Sequence, residues 1–236
     1  MRNVMLNAAS HAFCNQPSIG GPTYWIRNIA YHLPGGAIRM TGGSAGVLFY
    51  NNTILSEVGL ASSSNVHFRN NLILGEQSAP TLFSVNTLTN YSSSDHNGFR
   101  PNPGAATSFA WNSPPTDRQA DYASLITPAA PGAPSSLVTR PFATLAEYAR
   151  ATNQDRGSVL VDYDIFVKVP PLNALDRATV QKVYPVEGLD FRLRPGTTAI
   201  DAGVALPNVT DGASGRAPDL GALELNAPLP HYGPRR

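Results

Sequence analysis

The sequence predicts an all-β fold, a single-stranded solenoid in which short strands stack coil upon coil. Three observations predict it. Four segments repeat an Asn-centred pattern with apolar residues alternating around it. Gly- and Ser-rich tracts (Pro34-Gly35-Gly36, Thr41-Gly42-Gly43-Ser44, Ala61-Ser62-Ser63-Ser64) separate the segments. The composition, with 20 Gly and 21 Pro in 236 residues, is poor in helix formers and rich in turn formers.

The repeats are Arg2-Asn3-Val4-Met5, Ile26-Arg27-Asn28-Ile29, Phe49-Tyr50-Asn51-Asn52-Thr53-Ile54 and Phe68-Arg69-Asn70-Asn71-Leu72-Ile73. Taking Asn3, Asn28, Asn51 and Asn70 as equivalent gives spacings of 25, 23 and 19 residues, with a looser copy centred on Asn90. Such periods are too short for helix-pair repeats and suit one turn of a β-solenoid. Stacking brings equivalent side chains about 4.8 Å apart. At that distance amides of successive coils pair into a ladder. Val47, Phe49, Ile54, Val66, Phe68 and Ile73 are the expected inward-facing stacks.

These strings resemble the Asn-Asn turn and apolar strand of the right-handed parallel β-helix, the pectate-lyase-like architecture. The resemblance covers residues 1–100 and implies the last coils of such a protein. No capping helix precedes the first coil, so further coils are expected upstream.

Residues 101–141 carry eight prolines and read as a long excursion from the solenoid. The segment 142–236 reads as a C-terminal capping module. Thr144-Leu145-Ala146-Glu147 forms a capping box for a short helix with Leu145, Tyr148 and Ala149 on one face, ending at Asn153. Ser158 to Val167 reads as one strand.

The tail pairs Phe191-Arg192-Leu193-Arg194-Pro195-Gly196-Thr197-Thr198-Ala199-Ile200-Asp201-Ala202-Gly203 with Ala217-Pro218-Asp219-Leu220-Gly221-Ala222-Leu223-Glu224. This pair resembles the terminal motifs of many bacterial extracellular β-helix proteins, and implies a family of exported, often carbohydrate-active proteins. Read as residues, Asp201 and Asp211 are turn carboxylates that accept backbone N–H groups. Asp201, Asp211, Asp219 and Glu224 together are also a donor set for calcium. No other cofactor is expected, and no Cys cluster exists to bind a structural metal.

Function classes narrow accordingly. A net charge of +1 gives no basis for nucleic acid as a partner. No apolar run approaches the roughly 20 residues of a membrane span. No signal peptide opens the chain, so its export signal is expected to lie upstream, with the protein secreted, periplasmic or on the cell surface. Glu57 and Glu76 are the only acids before Asp95, which excludes a clustered-carboxylate glycosidase site on the coils. Both lysines, Lys168 and Lys182, lie in the C-terminal module, so a lysine base on the coils is excluded as well.

The remaining polar candidates for a polysaccharide are Arg27, His32, Arg39, His67, Arg69, Asp95 and His96. Arg27 and Arg69 are read as equivalent positions forming a cationic stripe that grips carboxylates or sulfates; the plain alternative is solvated surface. Asp95 with Asn97 is read as shaping the turn that leaves the solenoid. Tyr24, Trp25 and Tyr31 either stack on sugar rings or belong to the core. Cys14 is expected to be an inert buried thiol. The functional expectation is the C-terminal part of a carbohydrate-active enzyme with lyase or hydrolase chemistry, its main groove on upstream coils. The alternative is a non-catalytic adhesion or spacer solenoid that binds glycans.

Overall fold

The computed structural model describes residues 1–6, 11–15, 21–31, 36–40, 44–75, 81–87, 91–111, 140–171 and 182–230. It is a parallel β-solenoid with one short helix. One strip of parallel strands runs β1 (Val4–Leu6), β4 (Ile29–Tyr31), β7 (Thr53–Leu55), β9 (Leu72–Leu74), β12 (Gly98–Arg100), β15 (Val159–Leu160). Another is built from β3 (Thr23–Ile26), β6 (Ala45–Tyr50), the second half of β8 (Val58–Arg69) and β11 (Ser93–Asp95). The first half of β8 pairs in parallel with β10 (Phe83–Thr87), and β10 with β13 (Phe109–Trp111). Ahead of them β2 (Phe13–Asn15) pairs with β5 (Ile38–Met40). The sheet therefore continues past residue 100, and Leu74 sits in a parallel pairing with Arg100.

Alternation places Val47, Phe49, Val66 and Phe68 inward at 0% exposure, with Ile54 and Ile73 beside them. Aromatic rings run through this core from Phe13 by Trp25, Phe49, Phe68, Phe83, Phe99 and Phe109 to Tyr148, each 4.6–5.3 Å from the next. Trp25 thus belongs to the core side.

The Asn ladder is present but runs through Asn3, Asn28, Asn52, Asn71 and Asn97. Each Nδ2 donates to the Oδ1 of the next, at 3.0, 2.9, 2.9 and 2.9 Å. Each backbone N–H donates to the same oxygen. Asn51 and Asn70 stand one residue earlier, with Arg2, Arg27 and His96. All five have φ between +52° and +57°, the left-handed bend that Asn tolerates. Of these, Asn70 Nδ2 donates to Asn51 Oδ1 at 3.4 Å, longer than any rung of the ladder. Asn97 is therefore the fifth rung and not simply an exit turn; Asn90 lies outside the described residues.

The capping-box helix forms as α1 (Leu145–Thr152), with Thr144 and Glu147 exchanging bonds and Asn153 left-handed at its end. Tyr148 buries against the last coils, and β14 (Arg140–Phe142) pairs antiparallel with β13. This part closes the end of the solenoid. The run Ser158–Val167 is not one strand: it divides into β15, a 3-10 turn at Tyr163–Ile165 capped by Asp162, and β16 (Phe166–Lys168), which pairs antiparallel with β17 (Asp190–Leu193).

The tail does not cap the end. It lies along the side of the first strip, and Ile29, Tyr31, Leu55, Leu72 and Leu74 pack against Ile165, Phe166, Phe191, Leu193, Ala199, Leu220 and Leu223. A strip covered on both faces is apolar at every position, as Leu72-Ile73-Leu74 is. The tail reads the row of left-handed bends: Asn51 Nδ2 donates to Asp219 O, Asn70 Nδ2 donates to Val204 O, and Asn70 O accepts Gly221 N–H. Gly221 sits at φ +89°, where a Cβ would come within 2.7 Å of Leu72 Cδ1 and Thr53 Oγ1.

Candidate functional site

The outward side of the second strip is the face the tail leaves open. Register aligns two outward rows across successive coils: Tyr24, Leu48, His67, Ser93, and Ile26, Tyr50, Arg69, Asp95. Strand alternation on β8 sends Asn65, His67 and Arg69 outward while Val66 and Phe68 fill the core. Tyr24 is 51% exposed, Ile26 is buried, and the other side chains of the two rows are half-buried.

At its centre is a hydrogen-bonded relay. His67 Nδ1 lies 2.8 Å from Ser93 Oγ, and its Nε2 lies 2.8 Å from Asn65 Oδ1. Arg69 Nη2 donates to the same Ser93 oxygen at 2.9 Å, and Nη1 donates to Phe68 O. Because Asn65 Oδ1 only accepts, the ring carries its proton on Nε2. The bare Nδ1 then takes the Ser93 O–H, whose oxygen is free to accept from Arg69. Burial, and then the Arg69 charge, hold the His67 pKa below the ordinary histidine value, which keeps the imidazole neutral near pH 7. Burial pushes the Tyr50 hydroxyl up, with Arg69 opposing.

His67 and Arg69 are thus brought together, but Arg27 is not with them. Arg69 pairs in register with Tyr50 and Asp95, whereas Arg27 occupies the left-handed bend. The two arginines are not equivalent and form no stripe. Arg27, 12% exposed, donates to Ala222 O and Val209 O and lies 3.5 Å from Glu224 Oε1. It fastens the tail. Asp95 Oδ1 accepts the His96 and Gly157 N–H groups, so this carboxylate shapes the turn as expected. His96 is a bend residue whose Nδ1 is 3.4 Å from Asp95 Oδ2. Arg39 projects from β5, off this face, opposite Cys14. Cys14 is exposed, contrary to expectation, because it takes the outward position of edge strand β2. Tyr31 is buried, donating to Pro170 O. His32, Glu76 and residues 112–139 of the excursion lie outside the described residues.

Sequence reading missed Asn65 and Ser93. The signal was the 26-residue step between Asn71 and Asn97, which places Ser93 beside His67.

The motif carboxylates hold backbone. Asp201 Oδ1 accepts Arg216 and Ala217 N–H, Asp219 accepts Asp201 and Leu225 N–H, and Glu224 Oε2 accepts Asp219 N–H. Asp211 accepts Asn208 N–H. Among the described residues no group of three His, Cys, Asp or Glu side chains is placed to hold a metal. A cleft of about 340 Å³ lies elsewhere, lined by Arg2, Arg27, Arg192 and Glu224; there Arg27 serves the tail and Arg192 pairs with Asp190. Among the described residues no helix is long and apolar enough to cross a membrane. No family model, no curated protein and no solved structure matches the chain.

Proposed function

We propose that the chain binds an acidic polysaccharide along the outward face of β3, β6, β8 and β11, as part of an exported, carbohydrate-active β-helix protein of the pectate-lyase-like kind. What supports this reading most is the order of side chains across the coils. Tyr24 and Tyr50 offer ring faces, then Arg69 offers polar donors beside His67. Strands about 4.8 Å apart present these groups at a repeat comparable with that of sugars in a chain. Arg69 keeps guanidinium donors beyond its bonds to Phe68 O and Ser93 Oγ for a uronate carboxylate or a sulfate. Lyase or hydrolase chemistry belongs to the same proposal, in a groove continued on further coils.

The test is binding of pectin, alginate and glycosaminoglycans by calorimetry, with product assays for new reducing ends and unsaturated sugars. Tyr24→Ala and Arg69→Gln should each weaken binding by about tenfold, the equivalent of about 1.4 kcal/mol. Absence of binding across the panel overturns the reading.

A non-catalytic surface solenoid is the second reading. It is favoured by the lack of paired carboxyls: among the described residues Asp95 is the one acid in the two outward rows, and its Oδ1 is held by backbone. Binding without any turnover selects it.

A further inference from the structure

We infer that Ser93 is an acyl-accepting nucleophile, with His67 its general base, for esters carried on the polysaccharide bound at this face. The inference rests on the binding reading for its substrate class, an O-acylated acidic glycan. It stands on the relay itself.

Three features of a nucleophile site coincide. The hydroxyl and the base are in hydrogen-bond reach at 2.8 Å. The base is oriented on its far side by Asn65 at 2.8 Å, which holds the tautomer whose lone pair faces Ser93. A fixed positive charge, Arg69, donates to Ser93 Oγ at 2.9 Å and so favours loss of the hydroxyl proton to the base. Such constellations are defined by geometry and not by sequence order, so the absence of a strand-turn-helix elbow is no obstacle. The same geometry disfavours direct proton abstraction from a sugar, because both His67 nitrogens point at protein groups and the free lone pair at Ser93 alone.

The chemistry balances with water as the only co-reactant. Ser93 Oγ bonds to the acyl carbon as its proton passes to His67 Nδ1. The bond between acyl carbon and sugar oxygen breaks, and that oxygen leaves with the electron pair and takes the proton from Nδ1. Water then attacks the acyl-serine, giving its proton to Nδ1. Ser93 recovers that proton as the carboxylic acid departs. Asn65 is a positioning residue.

The test treats the full chain with a fluorophosphonate probe, maps adducts by peptide mass spectrometry, and measures acetate released from O-acetylated pectin. A single adduct at Ser93 is expected. His67→Gln should slow labelling by about 100-fold or more, and Ser93→Ala should abolish it while circular dichroism stays unchanged. Asn65→Ala should redistribute the His67 ring proton between its nitrogens, read by 15N NMR. A Ser93 that stays unlabelled, or labels equally fast in His67→Gln, overturns the inference. Glycan binding without labelling overturns this inference and spares the binding reading. Labelling without glycan binding does the reverse.

Discussion

Asn71 is the rung whose loss should be felt most. Its side chain is 0% exposed. Its Oδ1 accepts both Asn52 N–H at 3.0 Å and Asn52 Nδ2 at 2.9 Å, while its Nδ2 donates to Phe49 O and Asn97 Oδ1. Asn71→Ala strands two buried donors and removes the side-chain donor to Phe49 O and to Asn97 Oδ1, which keeps the Asn71 backbone N–H. At about 1–3 kcal/mol for each buried group left unsatisfied, with partial relaxation, the variant should lose about 3–5 kcal/mol. Asn3→Ala is the matched control. It removes one donor at the exposed end, and Asn28 Oδ1 keeps the Asn3 backbone N–H, so the cost stays under about 1 kcal/mol. Urea unfolding followed by far-ultraviolet circular dichroism should put the Asn71→Ala midpoint about 1–2 M lower for a slope near 2–3 kcal/mol/M, and leave Asn3→Ala almost unmoved. Coincident midpoints for the two variants would refute the reasoning, since the ladder would then carry no buried load.

Gly221→Ala should cost about 2–4 kcal/mol, because its left-handed backbone and a Cβ within 2.7 Å of two core atoms both resist a side chain; the thermal midpoint checks it. Arg27→Ala leaves Glu224 buried without its cation and should lower stability by about 3–5 kcal/mol, whereas Arg216→Ala, whose side chain is 91% exposed, should stay within about 0.5 kcal/mol. Burial raises the Asp155 pKa above its ordinary value, against bonds from Ser158, Ser94 and Asn97. The folded state then binds more protons than the unfolded one between pH 3.8 and the folded pKa, and stability falls as pH rises through that window. Asp155→Asn should remove this fall, seen in the difference between the two stability–pH curves. The His67 imidazole should titrate below 6.5 by NMR, and Arg69→Gln should move its midpoint upward.

The solenoid was legible because both its periods are written in residue types: alternation along each strand, and an Asn directly after each bend. The register slipped by one residue for a physical reason. Asn suits the left-handed bend and the ladder alike, and the doublets Asn51-Asn52 and Asn70-Asn71 fill both positions, whereas Arg27-Asn28 fills only the second. Aligning first Asn with single Asn displaced the frame and made Arg27 and Arg69 look alike. In the fifth coil the bend is His96, which hid Asn97 as a rung. The helix was readable from local capping alone. The tail's course was not, since side-on packing is a long-range choice whose one local trace is the unbroken apolar run Leu72-Ile73-Leu74. Half of the candidate site, His67 and Arg69, was visible on one strand; Ser93 arrives from the next coil, so its place depends on the corrected register.

The tail changes how such a molecule comes apart. A bare stack of repeats can fray from either extremity, each layer answering only to its neighbours. Here a single strap touches Arg27, Asn51, Asn70 and Thr53 from Val204 to Glu224, so three successive layers share one fastening. Lifting it uncovers the flank of several layers at once, and dissolution should be abrupt instead of gradual, with the strap's own detachment as the committing event.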